Sequence, residues 1–171
     1  MKKMKVKSEK GKVKNWIPRG LRNNNPLNIR WTPGTRPWQG QRSHDGQFAI
    51  FETMEDGYRA AFRVLDSYNK KHNIYSVREI IYRWAPPQDH NATRAYIDKV
   101  CEEACLKETD LIVVDSWIEE KRKDAIWLVW AMAIVENGSR YISFDDMKTV
   151  EKGYYKAFPQ YNNHNHNPNP N

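Results

Sequence analysis

Eleven consecutive residues, Ala125 to Val135, carry neither a charge nor a small polar group. The run reads Ala125-Ile126-Trp127-Leu128-Val129-Trp130-Ala131-Met132-Ala133-Ile134-Val135 and leads into Glu136-Asn137-Gly138. It is too short to span a bilayer, which takes roughly 18 apolar residues or more. A helix that is apolar on every side is instead the buried centre of a globular domain. Gly138 predicts the stop, because glycine reaches positive φ cheaply. Glu136 then falls in the last turn, at the edge of the core. Helix carbonyls and apolar surroundings both disfavour its ionised form. A carboxylic acid held protonated near neutral pH can serve as a general acid. An exposed glutamate that merely follows a core helix is the plain alternative.

The remaining charge is unevenly placed. The chain has 171 residues and a formal net charge of +7, and residues 1–14 alone hold seven lysines and one glutamate. The expected organisation is a disordered basic arm over 1–14, one folded domain over 15–158, and a disordered Asn/His/Pro tail over 159–171. An arm of this kind either binds a polyanion or is simply solvated. The nearly neutral body argues against a specific nucleic-acid module. No apolar segment follows the basic start, so no secretory signal is expected. Cys101 and Cys105, one helical turn apart, are expected to be core thiols rather than a zinc site. His164 and His166 in the tail could at most bind a metal weakly.

Local signals predict a mainly α fold, an α+β arrangement with a small β-hairpin or short strands. Residues 15–47, rich in Asn, Pro, Gly and Trp, read as loop with aromatic anchors. Gln47 to Glu52 alternates like a strand. Thr53 predicts an N-cap for a helix over Glu55 to about Asn69. Ser76 and Glu79 form a capping box for a helix ending at Trp84, before Ala85-Pro86-Pro87. Asn91 predicts the cap of a helix to about Cys105, and Ser143 opens a last helix to Phe158. Ile112 to Asp115 is ambiguous.

Several residue types could carry chemistry. Glu55, at a helix start, is pushed toward ionisation, the reverse of Glu136, and two such carboxylates can divide acid and base work. An ordinary helix-stabilising role suits it equally, and Glu52 poses the same question. Trp31, Trp38, Tyr82, Trp84 and Tyr141 could stack on sugar rings or fill the core. Asn25 and Asn28 could bond ligand hydroxyls and amides, or make turns. No phosphate-cradling glycine loop, HExxH or GxSxG motif is present, and no metal or cofactor is implied.

Arg19-Gly20-Leu21-Arg22-Asn23-Asn24-Asn25-Pro26-Leu27-Asn28-Ile29-Arg30 resembles the "RGIRNNNPGNIR" signature of a phage and prophage virion-protein family. Trp38-Gln39-Gly40, the block from Phe48 to Ala60, Arg83 to Pro87, Asn91 to Thr93 with Tyr96-Ile97, and Ala131 to Gly138 continue the match in order. One departure is Leu27, where the family usually has Gly. That family looks lysozyme-like and related to lytic transglycosylases, with the usual first helix moved to the end by circular permutation. The resemblance implies a peptidoglycan lysin that cuts the β-1,4 glycan strand, as transglycosylase or muramidase. Glu136 would be the general acid and base, Glu55 a second carboxylate, and Asn28, Trp31, Tyr141, Asn25 and Trp38 substrate-binding residues. The implied partners are bacterial peptidoglycan and other virion proteins, for a monomer located in a phage virion or the host cytoplasm. A peptidoglycan endopeptidase and a non-catalytic virion or wall-binding protein are the rival readings.

Overall fold

The computed structural model describes residues 17–162. The expected basic arm and most of the Asn/His/Pro tail, with His164 and His166, lie outside them. The elements run α1 (Arg19–Arg22), β1 (Gln41–His44), β2 (Ala49–Phe51), α2 (Met54–His72), α3 (Val77–Trp84), α4 (Thr93–Ala104), α5 (Glu119–Asn137) and α6 (Met147–Ala157). The fold is mainly α with one small antiparallel sheet, β1 against β2, in which Gln41 faces Phe51 and His44 faces Ala49. Among the described residues, no helix is long and apolar enough to cross a membrane.

The apolar run forms the second half of α5, and Ala125, Ile126 and Leu128 to Ile134 are all buried. Trp130 keeps its ring in the core by donating its indole N–H to the Ser143 carbonyl at 2.9 Å. Gly138 ends the helix at φ +91° and ψ 142°. That is not the left-handed helical conformation expected of a helix stop, but it is still a region open mainly to glycine.

α2 packs along α6, where Phe62 meets Tyr154 edge-to-face at 5.1 Å. The helices can approach because position 153 has no side chain: a Cβ on Gly153 would lie 2.4 Å from the Tyr58 Cβ. The Thr53 cap and the Ser76–Glu79 capping box both form as expected. Residues 112–115 form neither helix nor strand. They are held by Asn69, whose amide donates to the Ile112 carbonyl at 3.1 Å and whose oxygen accepts from the Val114 N–H at 3.0 Å.

Four local expectations are corrected. Asn91 does not cap α4; the N-cap position is Ala92, with no side-chain bond. The Asn91 amide instead donates to the Pro86 carbonyl at 3.0 Å, in a turn where two prolines supply no N–H donors. Cys105 is exposed because it leaves the helix in a left-handed conformation, and Cys101 is only partly buried. α2 runs one turn past Asn69, to His72. The domain does not end at Phe158: Pro159–Tyr161 forms a further 3-10 turn, and the buried Tyr161 donates to Asp115 at 2.6 Å.

The asparagine-rich motif lies between α1 and the sheet. Arg19 grips Asp45 with two bonds of 2.7 and 2.9 Å, and Asn23 adds a third at 2.7 Å. Arg19, foremost, holds the Asp45 carboxyl well below the usual carboxylate range. Asn24 donates to the Phe51 and Glu52 carbonyls. α2 then starts so close to this loop that a Cβ on Gly57 would lie 2.1 Å from the Asn24 carbonyl oxygen. Gly57→Ala is therefore expected to cost about 2–3 kcal/mol through forced displacement of that loop, read as a lower urea midpoint at unchanged slope.

Candidate functional site

Glu136 lies in the last turn of α5, where the helix leaves the core, and is half-buried. Three segments bring donors to its carboxylate. The Asn28 amide, from the asparagine-rich loop, donates to Oε2 at 2.8 Å. The Tyr96 hydroxyl, from α4, donates to Oε1 at 3.1 Å. The Trp84 indole N–H, from the end of α3, approaches the same oxygen at 3.4 Å. All three donors are neutral. Burial raises the Glu136 pKa above the ordinary glutamate value, and the bonds from Asn28, Tyr96 and Trp84 only partly offset it. Tyr96 keeps its proton, because burial and the neighbouring carboxylate both push its pKa well up.

Local folding explains each placement. Asn28 adopts φ +51°, a left-handed conformation that asparagine tolerates, and its N–H donates to the Asn25 carbonyl at 3.0 Å. Asn137, next to Glu136, donates to the Pro26 carbonyl at 2.7 Å and so ties the loop to the end of α5. Gly20 permits this contact, since a Cβ there would lie 2.8 Å from the Asn137 Oδ1. Thr93 bonds the Ala85 carbonyl at 2.6 Å, joining the start of α4 to the end of α3.

Glu136 lines a cleft of about 420 Å³ together with Asn28, Arg30, Phe48, Tyr68, Trp84 and Asp89. Asp89 is the other carboxylate in this cleft; it is exposed and pairs with Arg30 at 3.9 Å. Among the described residues, no group of three or more His, Cys, Asp and Glu side chains could hold a metal ion.

The structure brings only some of the expected residues together. Glu136 and Asn28 meet. Glu55 does not join them: it lines a separate pocket beside Lys148, Glu151 and Tyr155 on α6. Asn25 is fully buried, and both ends of its amide are taken by the backbone of Ile29 and Ala49. It is a structural clamp with no atom left for a ligand. Trp31 lies flat on His44 at 3.5 Å, outside the cleft lining. Tyr141 follows the helix stop, with the Arg140 guanidinium over its ring at 5.7 Å. Trp38 lines two pockets next to the cleft rather than the cleft itself. Trp84, which could stack on a sugar or fill the core, also turns its indole N–H to Glu136. Tyr96 was not expected at all, although a tyrosine on the buried face of α4 needs a partner for its hydroxyl.

No family model matches the chain. It is 35% identical over 147 residues to Protein P5 of Pseudoalteromonas phage PM2, covering 82% of this chain and 85% of the phage protein. The chain belongs to the family of this phage protein. The Glu136 environment has two measurable consequences. Tyr96→Phe removes a donor that favours the ionised form, so the Glu136 pKa should rise further in a carboxyl ¹³C titration. Glu136→Gln should gain stability over the native chain as pH rises. A folded-state pKa raised above the unfolded value gives stability that is complete below about 4.5. That stability is lost as pH climbs through the folded value. Unfolding midpoints of the two chains from pH 4 upward test it, and a constant difference would contradict it.

Proposed function

We propose that this chain is a virion-borne lysin that cuts the β-1,4 glycan strand of bacterial peptidoglycan. The observation that carries this reading is the half-buried Glu136, raised in pKa and held by three neutral donors on an open cleft. A protonated carboxyl can give its proton to the glycosidic oxygen as the bond to C1 breaks. The resulting carboxylate is then stabilised by Asn28, Tyr96 and Trp84.

The placement of Glu55 favours a transglycosylase over a double-displacement muramidase. A retaining hydrolase needs a second carboxyl roughly 5 Å from the acid, and Glu55 lines a different pocket. Asp89, the other carboxylate of the cleft, is exposed and paired with Arg30, and the nucleophile comes from the substrate. Glu136 takes the proton from the muramoyl 6-hydroxyl, whose oxygen bonds to C1, giving a 1,6-anhydro end and restoring the acid. The family's phage origin and the sequence resemblance to wall lysins agree with action from a virion.

Zymography on purified cell walls and mass spectrometry of the products test the assignment. Glu136→Gln should lower turnover by about 10²–10⁴-fold, the usual contribution of a general acid. Activity of the native chain should fall as pH rises through the Glu136 pKa, and the released sugars should be one water lighter than hydrolysis products. Full activity in Glu136→Gln, cleaved peptides with intact glycan, or wall binding without any product would each overturn it.

A further inference from the structure

The Glu136 cleft does not end at Tyr68 and Arg83. Those two residues, with Val64, also line an adjoining pocket, which in turn shares Trp38 and Arg63 with a third. The three pockets form a continuous groove along one side of α2. Beyond the cleft it is lined by six cations: Arg36, Arg59, Arg63, Lys70, Lys71 and Arg83. Asp66 is the one carboxylate in these two pockets, and it is buried and already paired with Lys70 at 3.0 Å and Arg63 at 3.4 Å.

The arrangement works against the fold. Arg59 and Arg63 are four apart on a helix, where like charges repel and destabilise. Arg59 is partly desolvated, and its Nε is buried with no hydrogen-bond partner. The nearest acid on its helix, Asp56, is taken by Lys156 at 2.8 Å and by Thr53 at 2.6 Å. Burial, foremost, and Arg63 lower the Arg59 pKa, and Asp56 only partly offsets them. A desolvated, under-bonded cation beside a like charge is a local conflict of the kind that function retains. A bound anion would relieve the repulsion, and the guanidinium fork suits a carboxylate.

We infer that the groove formed by Trp38, Arg59, Arg63 and Arg83 is a subsite for the free carboxylates of the stem peptide carried by the glycan. This rests on the proposed glycan-cutting reading and narrows it: the substrate is peptide-bearing peptidoglycan rather than bare glycan. The glycan lies in the Glu136 cleft and the peptide runs from it toward Arg59. Trp38 offers an apolar wall for the peptide's alkyl parts.

Equilibrium binding tests this apart from catalysis. The probes are a purified N-acetylglucosaminyl-N-acetylmuramoyl tetrapeptide and the same disaccharide with its peptide removed. Neither contains the muramoyl-to-glucosaminyl bond, so binding is read whether or not the chain cuts glycan. The full chain should bind the peptide-bearing probe on the order of tenfold tighter or more, the value of one charge-assisted bond to a carboxylate. Arg59→Gln should collapse that ratio toward one. Arg63→Gln should reduce it if Arg59→Gln does not fold. Lys148→Gln removes the same charge from the separate pocket at α6 and should leave the ratio unchanged. Equal affinity of the native chain for both probes would overturn the inference. So would an equal drop in Lys148→Gln, or tighter binding of glycerol phosphate than of the muropeptide.

Discussion

The burial of α5 up to its final turn is the constraint from which the rest of this molecule follows. From Ala125 to Ile134 the helix is enclosed by α4, α6 and α2. A helix surrounded in this way has one end where it must meet solvent, and Glu136 stands at that end. The side chain shares the apolar surroundings of the residues before it, yet it opens on a cleft. Its raised proton affinity is thus a consequence of core packing. The helix is also the frame on which the donors are assembled. Asn137 fixes the loop that presents Asn28, and α4, packed along α5, presents Tyr96.

The asparagine-rich motif does two kinds of work with one residue type. Asn23, Asn24 and Asn25 spend their amides on the hairpin and the loop's own backbone. These bonds replace regular secondary structure over a stretch that has almost none, as buried backbone groups require. Asn28 alone turns its amide toward the carboxylate. A motif of this density reads as a binding loop, but most of it is scaffold. One position, Asn28, is aimed at the Glu136 carboxylate by its left-handed conformation.

Neutral donors around Glu136 and cations along α2 divide the electrostatics of this face. A lysine or arginine bonded to Glu136 would have opposed the rise in its proton affinity. Arg30 and Arg83 line the same cleft, but neither is among the groups that hydrogen-bond the carboxylate, and the other cations lie along the adjoining groove. One surface therefore combines a carboxyl of raised proton affinity with a row of cations.

Local patterns determined a good deal. The unbroken apolar run defined the central helix, which buries nine of the run's eleven residues. The Thr53 cap, the Ser76–Glu79 box and the alternation through Phe51 located two helix starts and the hairpin, since capping and strand pairing depend on neighbours a few residues away. Asn91 misled for the same reason: a capping residue in sequence found a better acceptor in Pro86, made available by the two-proline turn. The site itself required long-range contact. Asn28 and Glu136 are 108 positions apart. Trp84 and Tyr96 reach the same oxygen from separate helices, and nothing local marks either as its partner. Glu55 and Glu136 formed an attractive pair on paper because their helix-end environments are opposite. Only the packing of α2 against α6 revealed that they line different pockets. Helix ends are written in local sequence, whereas which ends meet is decided by how the apolar faces close around α5.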